Sequence, residues 1–157
     1  MLKRKNCFVK LSGDLFQKPA VVRWLRCLSR HYFVVISVGG GTQINLAFRR
    51  AGFPVRKHGP LGRETRTLKE RQLQRNMLER NQATLQDILA TERISAVVEI
   101  PWAVRGTVDC PVNGDTDVLV AYLGFHVLFV VTTRDRVAAK KRQFAPYPKV
   151  HIKGFHA

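Results

Sequence analysis

Acidic residues are scarce in this chain: 11 Asp and Glu stand against 27 Lys and Arg among 157 residues, a formal net charge of +16. A surplus of that size favours anionic company such as nucleic acid, anionic lipid or phosphorylated small molecules. Cysteine is scarcer still. Cys7, Cys27 and Cys110 are odd in number and widely spaced, with no C-x-x-C, which argues against a disulfide framework or a zinc site and fits a reducing cytoplasm. His58, His126, His151 and His156 are scattered at spacings that pair none of them on a helical face, so no metal site is expected. Long hydrophobic runs are missing too. The longest, Phe33–Val38 and Val127–Val131, fall far short of the roughly 20 residues a membrane helix needs, and they predict buried strands instead. The basic start MLKRKN leads into CFVKLSG, where Lys10, Ser12 and Gly13 interrupt any signal-peptide core, so no export signal is expected.

What is present predicts one α/β domain over residues 1–157, since a domain takes roughly 150 residues. The runs Cys7–Leu11 and Tyr32–Val38 read as strands, each stopped by glycine. Between them Pro19 starts a helix whose face carries Val21, Trp24, Leu25 and Leu28. Ile44, Ala47, Phe48 and Ala51 predict a second helix, closed by Gly52 and Pro54. A polar, Arg- and Lys-rich stretch follows over 56–75. Leu73, Met77, Leu85, Ile88 and Leu89 then make a helical stripe ending near Ala90, and 94–100 reads as a strand stopped by Pro101. Residues 108–112 form a weaker strand. Val118, Ala121 and Tyr122 predict a helix starting after Asp115–Thr116 and closed by Gly124, with a strand over 127–132 behind it. Such alternation predicts a three-layer αβα sandwich with a mostly parallel sheet.

Three glycine-bearing turns stand at the carboxyl ends of these strands: Lys10–Asp14, Gly39–Thr42 and Asn113–Thr116. Open α/β sheets bind ligands at that edge. Glycine lets backbone approach a ligand, and the N–H groups opening a following helix suit phosphate oxygens, with Lys10 adding a full charge.

In that order, VKLSGDLF at 9–16 resembles the opening K-x-S-G-[ED] of the amino acid kinase superfamily, and of its uridylate kinase branch in particular. ISVGGGTQIN at 36–45 resembles the family's second strand and glycine loop. NMLERNQATLQDILA at 76–90 is similar to its central helix, and 112–137 resembles its N-x-D helix and T-D-x-D-G-V nucleotide segment. The resemblance covers roughly residues 10–140. It implies a phosphotransferase that uses ATP and Mg²⁺ on a small anionic acceptor, with Lys10 on the transferring phosphoryl group and Asp115 orienting the lysines. It further implies Gly13, Gly40, Gly41, Thr132 and Asp135 on the nucleotide, and Gly39, Asn113 and Arg63 on the acceptor. Because such acceptors are already anionic, no general base is required. Central helices form a homodimer interface in this family, which implies a dimer through the 73–89 helix.

The chain departs from the pattern at two places. Thr133 and Arg136 stand where the nucleotide segment has aspartate and glycine, and the family's C-terminal G-M-x-x-K lysine, with the helices that cover the nucleotide, falls beyond Ala157. Lys140, Lys141 and Lys149 are the candidates to replace that lysine. A shortened relative that binds a ligand without catalysis is therefore the alternative expectation. Nucleic-acid binding is an expectation from charge alone, because no aromatic-rich or helix-turn-helix signature accompanies the basic runs at Arg49–Arg50, Arg56–Lys57, 63–75 and Lys140–Arg142.

Overall fold

The computed structural model describes residues 4–59 and 61–157; Met1–Lys3 of the basic start and Pro60 of the HGPLG stretch lie outside them. Strand β1 (Lys5–Leu11) pairs parallel with β2 (Tyr32–Val38) in the register Lys10 to Ser37 and Leu11 to Val38, so both strands end together at their glycines. Helix α1 (Pro19–His31) joins them. Pro19 occupies its first turn, Val21, Val22, Leu25 and Leu28 face inward, and Arg30 and His31 sit favourably at the negative end of the helix dipole.

Helix α2 (Gly41–Arg50) starts within the glycine triplet and buries Ile44 and Phe48. Helix α3 (Leu68–Thr91) opens on a capping box: the Glu70 N–H donates to the Thr67 hydroxyl, and the Glu70 carboxylate accepts from the Thr67 N–H. Its buried stripe is Glu70, Gln74, Leu78, Asn81, Leu85 and Leu89. Leu73, Met77 and Ile88 flank that stripe, half-buried against the core, and the outward side with Gln72, Asn76, Glu79 and Asp87 is polar. The 94–100 strand is shorter than its sequence pattern, reduced to β3 (Val97–Glu99), because Ile94 still donates its N–H to Leu89 at the end of α3.

The run around 108–112 forms β5 (Val108–Pro111), but it pairs antiparallel with β4 (Trp102–Arg105) in a separate hairpin turned at Gly106, whose φ is +61°. This hairpin is fastened to α3 through Asp109, which accepts from the Trp102 indole N–H at 2.9 Å and from Arg75 at 3.0 Å.

Helix α4 (Gly114–Ala121) is capped by Asn113, whose side chain accepts from the Asp115 N–H; the expected Asp115–Thr116 start is thus at least two residues too late. Strand β6 (Val127–Thr133) follows, then a single 3₁₀ turn (Arg134–Arg136), helix α5 (Val137–Gln143) and strand β7 (Val150–Phe155). The five strands of the main sheet are all parallel, in the order β3-β2-β1-β6-β7.

The result is an αβα sandwich. On one face Leu25 and Leu28 of α1 and Leu85 and Leu89 of α3 pack with Val9, Ile36 and Val131 of the sheet, and Trp24 stacks edge-on against Phe129 at 5.2 Å. On the other face Val118 of α4 and Phe144 after α5 pack on Phe8, Leu128 and Val130. Truncating a fully buried residue such as Ile36 or Leu128 to alanine costs roughly 2–5 kcal/mol in such a core. From β1 the chain first moves outward through β2 and β3, then returns to the opposite side of β1 at β6. That reversal opens a crevice beyond the carboxyl ends of β1 and β6, where doubly wound sheets hold ligands. Among the described residues no helix is long and apolar enough to cross a membrane.

Candidate functional site

A cleft of about 380 Å³ opens at this reversal. Its floor is the two glycine turns after β1 and β2, and its walls are the start of α4, the loop before α3 and the region after β6. Lys10, Arg63, Arg136 and Lys140 line it against Asp14 and Asp115, four cations to two carboxylates. The imbalance makes the cleft an attractor of anions.

The glycines bring backbone where side chains would otherwise stand. A Cβ on Gly13 would lie 2.7 Å from the Gly39 carbonyl oxygen, so the turns after β1 and β2 approach this closely only because Gly13 is bare. A Cβ on Gly114 would lie 2.9 Å from Cε of Lys10, whose side chain runs beneath the first turn of α4. The start of α2 at Gly41 has no side-chain cap. Its first N–H groups therefore lack intrahelical partners and carry the positive end of the helix dipole at the cleft.

Asp115 organises the charges. Its Oδ1 lies 3.8 Å from the Lys10 ammonium, and its Oδ2 accepts from Lys140 and, at 3.3 Å, from Gln143. Oδ1 has no hydrogen-bond partner among the described residues. Burial alone would raise the Asp115 carboxyl; the charges of Lys10 and Lys140 outweigh it and hold the group below the ordinary carboxylate value. Burial lowers the Lys10 ammonium, with Lys140 and Arg136 adding to the effect and Asp115 opposing it. Arg63 donates to the Asn45 side chain at 2.6 Å and lies over the Phe48 ring at 5.3 Å, and burial lowers it as well.

Of the residues singled out in the sequence, Lys10, Gly13, Gly39, Gly40, Gly41, Arg63, Asn113, Asp115 and Thr132 all line the cleft. Asp135 does not: it is exposed in the 3₁₀ turn, where a hydrogen bond with the Thr133 side chain holds its carboxyl low. Of the three candidate replacement lysines, Lys140 enters the cleft, whereas Lys149 donates to the Tyr122 and Phe125 carbonyls and Lys141 lines a different depression beside β7.

Two residues that sequence reasoning passed over shape the floor. Asn81 of α3 donates to the Gly39 carbonyl at 2.9 Å, and Gln43 of α2 donates to the Gly13 carbonyl at 2.8 Å. Asn81 carried a legible signal, a polar residue four positions before Leu85 in the middle of the inward stripe; Gln43 carried none. Compared with known proteins, the chain matches no family model and no curated protein.

Proposed function

We propose that the chain is a phosphotransferase of the amino acid kinase type, moving the γ-phosphoryl group of ATP to a small anionic acceptor, a carboxylate or a phosphate. The observation that carries this reading is the pairing of one carboxylate, Asp115, with two lysines, Lys10 and Lys140, directly beside two bare glycine turns. In phosphoryl transfer the protein has little covalent chemistry to perform, and positioning with charge stabilisation is nearly all it must supply.

In this reading Lys10 faces the transferring group, with the Asp115 carboxylate opposing the burial that lowers its ammonium. The glycine-turn N–H groups and the start of α2 hold non-bridging phosphate oxygens. Asp115 keeps the two ammonium groups near one another despite their repulsion. Arg63, anchored on Asn45, meets the acceptor's charge. The acceptor oxygen forms a bond to the γ-phosphorus while the bond to the bridging oxygen breaks, ADP leaving with the electron pair; no proton moves and no base is needed.

The donor set fits a nucleotide's phosphates through the uncapped start of α2 and the surplus of cations. No group of three acidic, histidine or cysteine side chains is found among the described residues. Mg²⁺ is commonly held by one or two carboxylates together with substrate phosphates, and Oδ1 of Asp115, which accepts no hydrogen bond although the Lys10 ammonium lies 3.8 Å away, is the oxygen that would face it. When bound, Mg²⁺ neutralises charge on the transferring phosphates.

Capture of a phosphorylated ligand without transfer is the second reading, favoured by Arg136, which lines the cleft at the position where the resembled nucleotide segment carries glycine. Calorimetric titration with ATP and Mg²⁺, beside Lys10→Ala and followed by an assay of ADP release over small carboxylates and phosphates, separates the two. Saturable, Lys10-dependent binding with acceptor-dependent ADP release supports transfer. Binding without release leaves ligand capture, and absence of ATP binding sinks transfer.

A further inference from the structure

We infer that Asn81 and Gln43 are positioning residues, which set the peptide planes of the two glycine turns so that N–H groups, rather than carbonyls, meet an anion in the cleft. The inference rests on the phosphoryl-ligand reading above and assigns a task to two residues that reading does not use.

Glycine turns carry no intrinsic preference for which edge of a peptide faces a ligand. With no Cβ, either orientation is open, and a carbonyl turned into a cation-lined cleft would find attractive partners in Lys10 or Lys140. A flipped peptide would place a partial negative charge where an anion must bind. Something must therefore hold the carbonyls away.

The two side-chain amides are placed to do so. Asn81 Nδ2 donates to the Gly39 oxygen at 2.9 Å, and because a trans peptide sets C=O and N–H on opposite edges, the Gly40 N–H then points away from Asn81. Gln43 Nε2 donates to the Gly13 oxygen at 2.8 Å, which turns the Asp14 N–H the opposite way by the same rule. Neither amide can be reversed without setting oxygen against oxygen. The Gln43 oxygen accepts nothing among the described residues, so that side chain is held by its donor end alone.

Placement and close packing make the arrangement specific. Asn81 is only 4% exposed and sits in the inward stripe of α3 between Leu78 and Leu85. A burial of that depth is costly for an amide whose hydrogen bonds are not used. Its Nδ2 would stand 2.9 Å from a Cβ on Gly40, so the amide occupies the space that a side chain there would need. Gln43 comes from α2, the helix whose uncapped start faces the cleft, and so couples that start to the turn after β1.

The test compares the wild-type chain with Asn81→Leu and Gln43→Met, close in size to the originals and without donors. Two readouts are taken: affinity for ATP with Mg²⁺ by calorimetry, and the backbone carbonyl ¹³C shifts of Gly39 and Gly13 in the ligand-free protein, with thermal unfolding as the check on folding. Gln43 is less buried than Asn81, so its variant stays informative if Asn81→Leu fails to fold. The expected result is a loss of affinity on the order of tenfold in each folded variant, with the Gly39 carbonyl moving in the first and the Gly13 carbonyl in the second. Wild-type affinity in a folded variant whose carbonyl has moved overturns the positioning assignment, as do unmoved carbonyls. If the wild-type chain itself binds no ATP, the functional reading fails separately, and the carbonyl shifts still decide whether the amides hold these peptides.

Discussion

Lys10 and Lys140 share a single carboxylate: one ammonium lies 3.8 Å from Oδ1 of Asp115 and the other donates to Oδ2. Like charges brought this close repel, and each gains from the carboxylate only while the carboxylate is ionised. Asp115→Asn keeps the shape and removes the charge. It is expected to cost roughly 1–3 kcal/mol of stability through lost charge-assisted hydrogen bonds. ADP release is expected to fall by about 100-fold or more, as when a donor is removed from a transition-state site. Near wild-type turnover in a folded Asp115→Asn protein would remove Asp115 from the chemistry.

The same trio makes stability depend on pH at both ends of the scale. Asp115 titrates lower in the folded chain than its unfolded value near 3.9, so the stability it contributes is present above that value and is lost as pH falls through the folded one. Lys10 also titrates lower when folded. Between its folded value and its unfolded one near 10.4, the unfolded chain holds the extra proton, and stability from this group therefore rises with pH across that window. Thermal unfolding followed against pH is expected to show the acid-side loss reduced in Asp115→Asn and the alkaline-side gain reduced in Lys10→Met. Profiles that superimpose on the wild type would defeat this electrostatic account.

Two glycines in the cleft are expected to respond differently to alanine, because what they touch differs. A Cβ on Gly13 meets backbone at 2.7 Å and 2.9 Å, the Gly39 oxygen and the Gly40 Cα, neither of which can move without parting the two turns. Gly13→Ala should cost about 1–3 kcal/mol and weaken ATP binding at once. A Cβ on Gly114 meets the flexible Lys10 side chain instead. Gly114→Ala should leave the melting temperature nearly unchanged while displacing the ammonium, so that binding or turnover falls alone. Equal effects of the two variants on melting would contradict the contact geometry.

Most of the sheet was legible because its strands are apolar runs closed by glycine, as at Leu11–Gly13 and Val38–Gly40, and the cleft followed because those stops lie side by side in a parallel sheet. The last two elements were not legible. Helix α5, VAAKKRQ, buries no residue and so presents no apolar period, and β7, VHIKGF, alternates over too few positions to stand out. Lys140 consequently reads as part of a solvated charge run in the sequence, although the fold carries it to Asp115. The offset in α3 has a related cause. Its inward stripe includes the polar Glu70, Gln74 and Asn81, of which Glu70 caps the helix and Asn81 bonds the Gly39 carbonyl, and a search for apolar spacing slides past them to Leu73 and Met77.

Cys7 offers a reporter of ligand binding that needs no assay of turnover. It lies fully buried in β1, the central strand, and burial pushes its thiol up to about 12, whereas Cys27 is exposed on α1. Because the thiolate is the reactive form, a thiol reagent at pH 8 is expected to modify Cys27 first and to leave Cys7 intact until the strand opens. Opening of a central strand tracks the global stability of the fold. A ligand that binds only the folded chain lowers the open population by the factor 1 + [L]/Kd, and the Cys7 labelling rate should fall by the same factor. Mass spectrometry of the labelled chain with and without ATP and Mg²⁺ checks this. Slower labelling of Cys7 that disappears in Lys10→Ala would tie the effect to the cleft, and labelling of Cys7 as fast as Cys27 would show that β1 is not the protected strand described above.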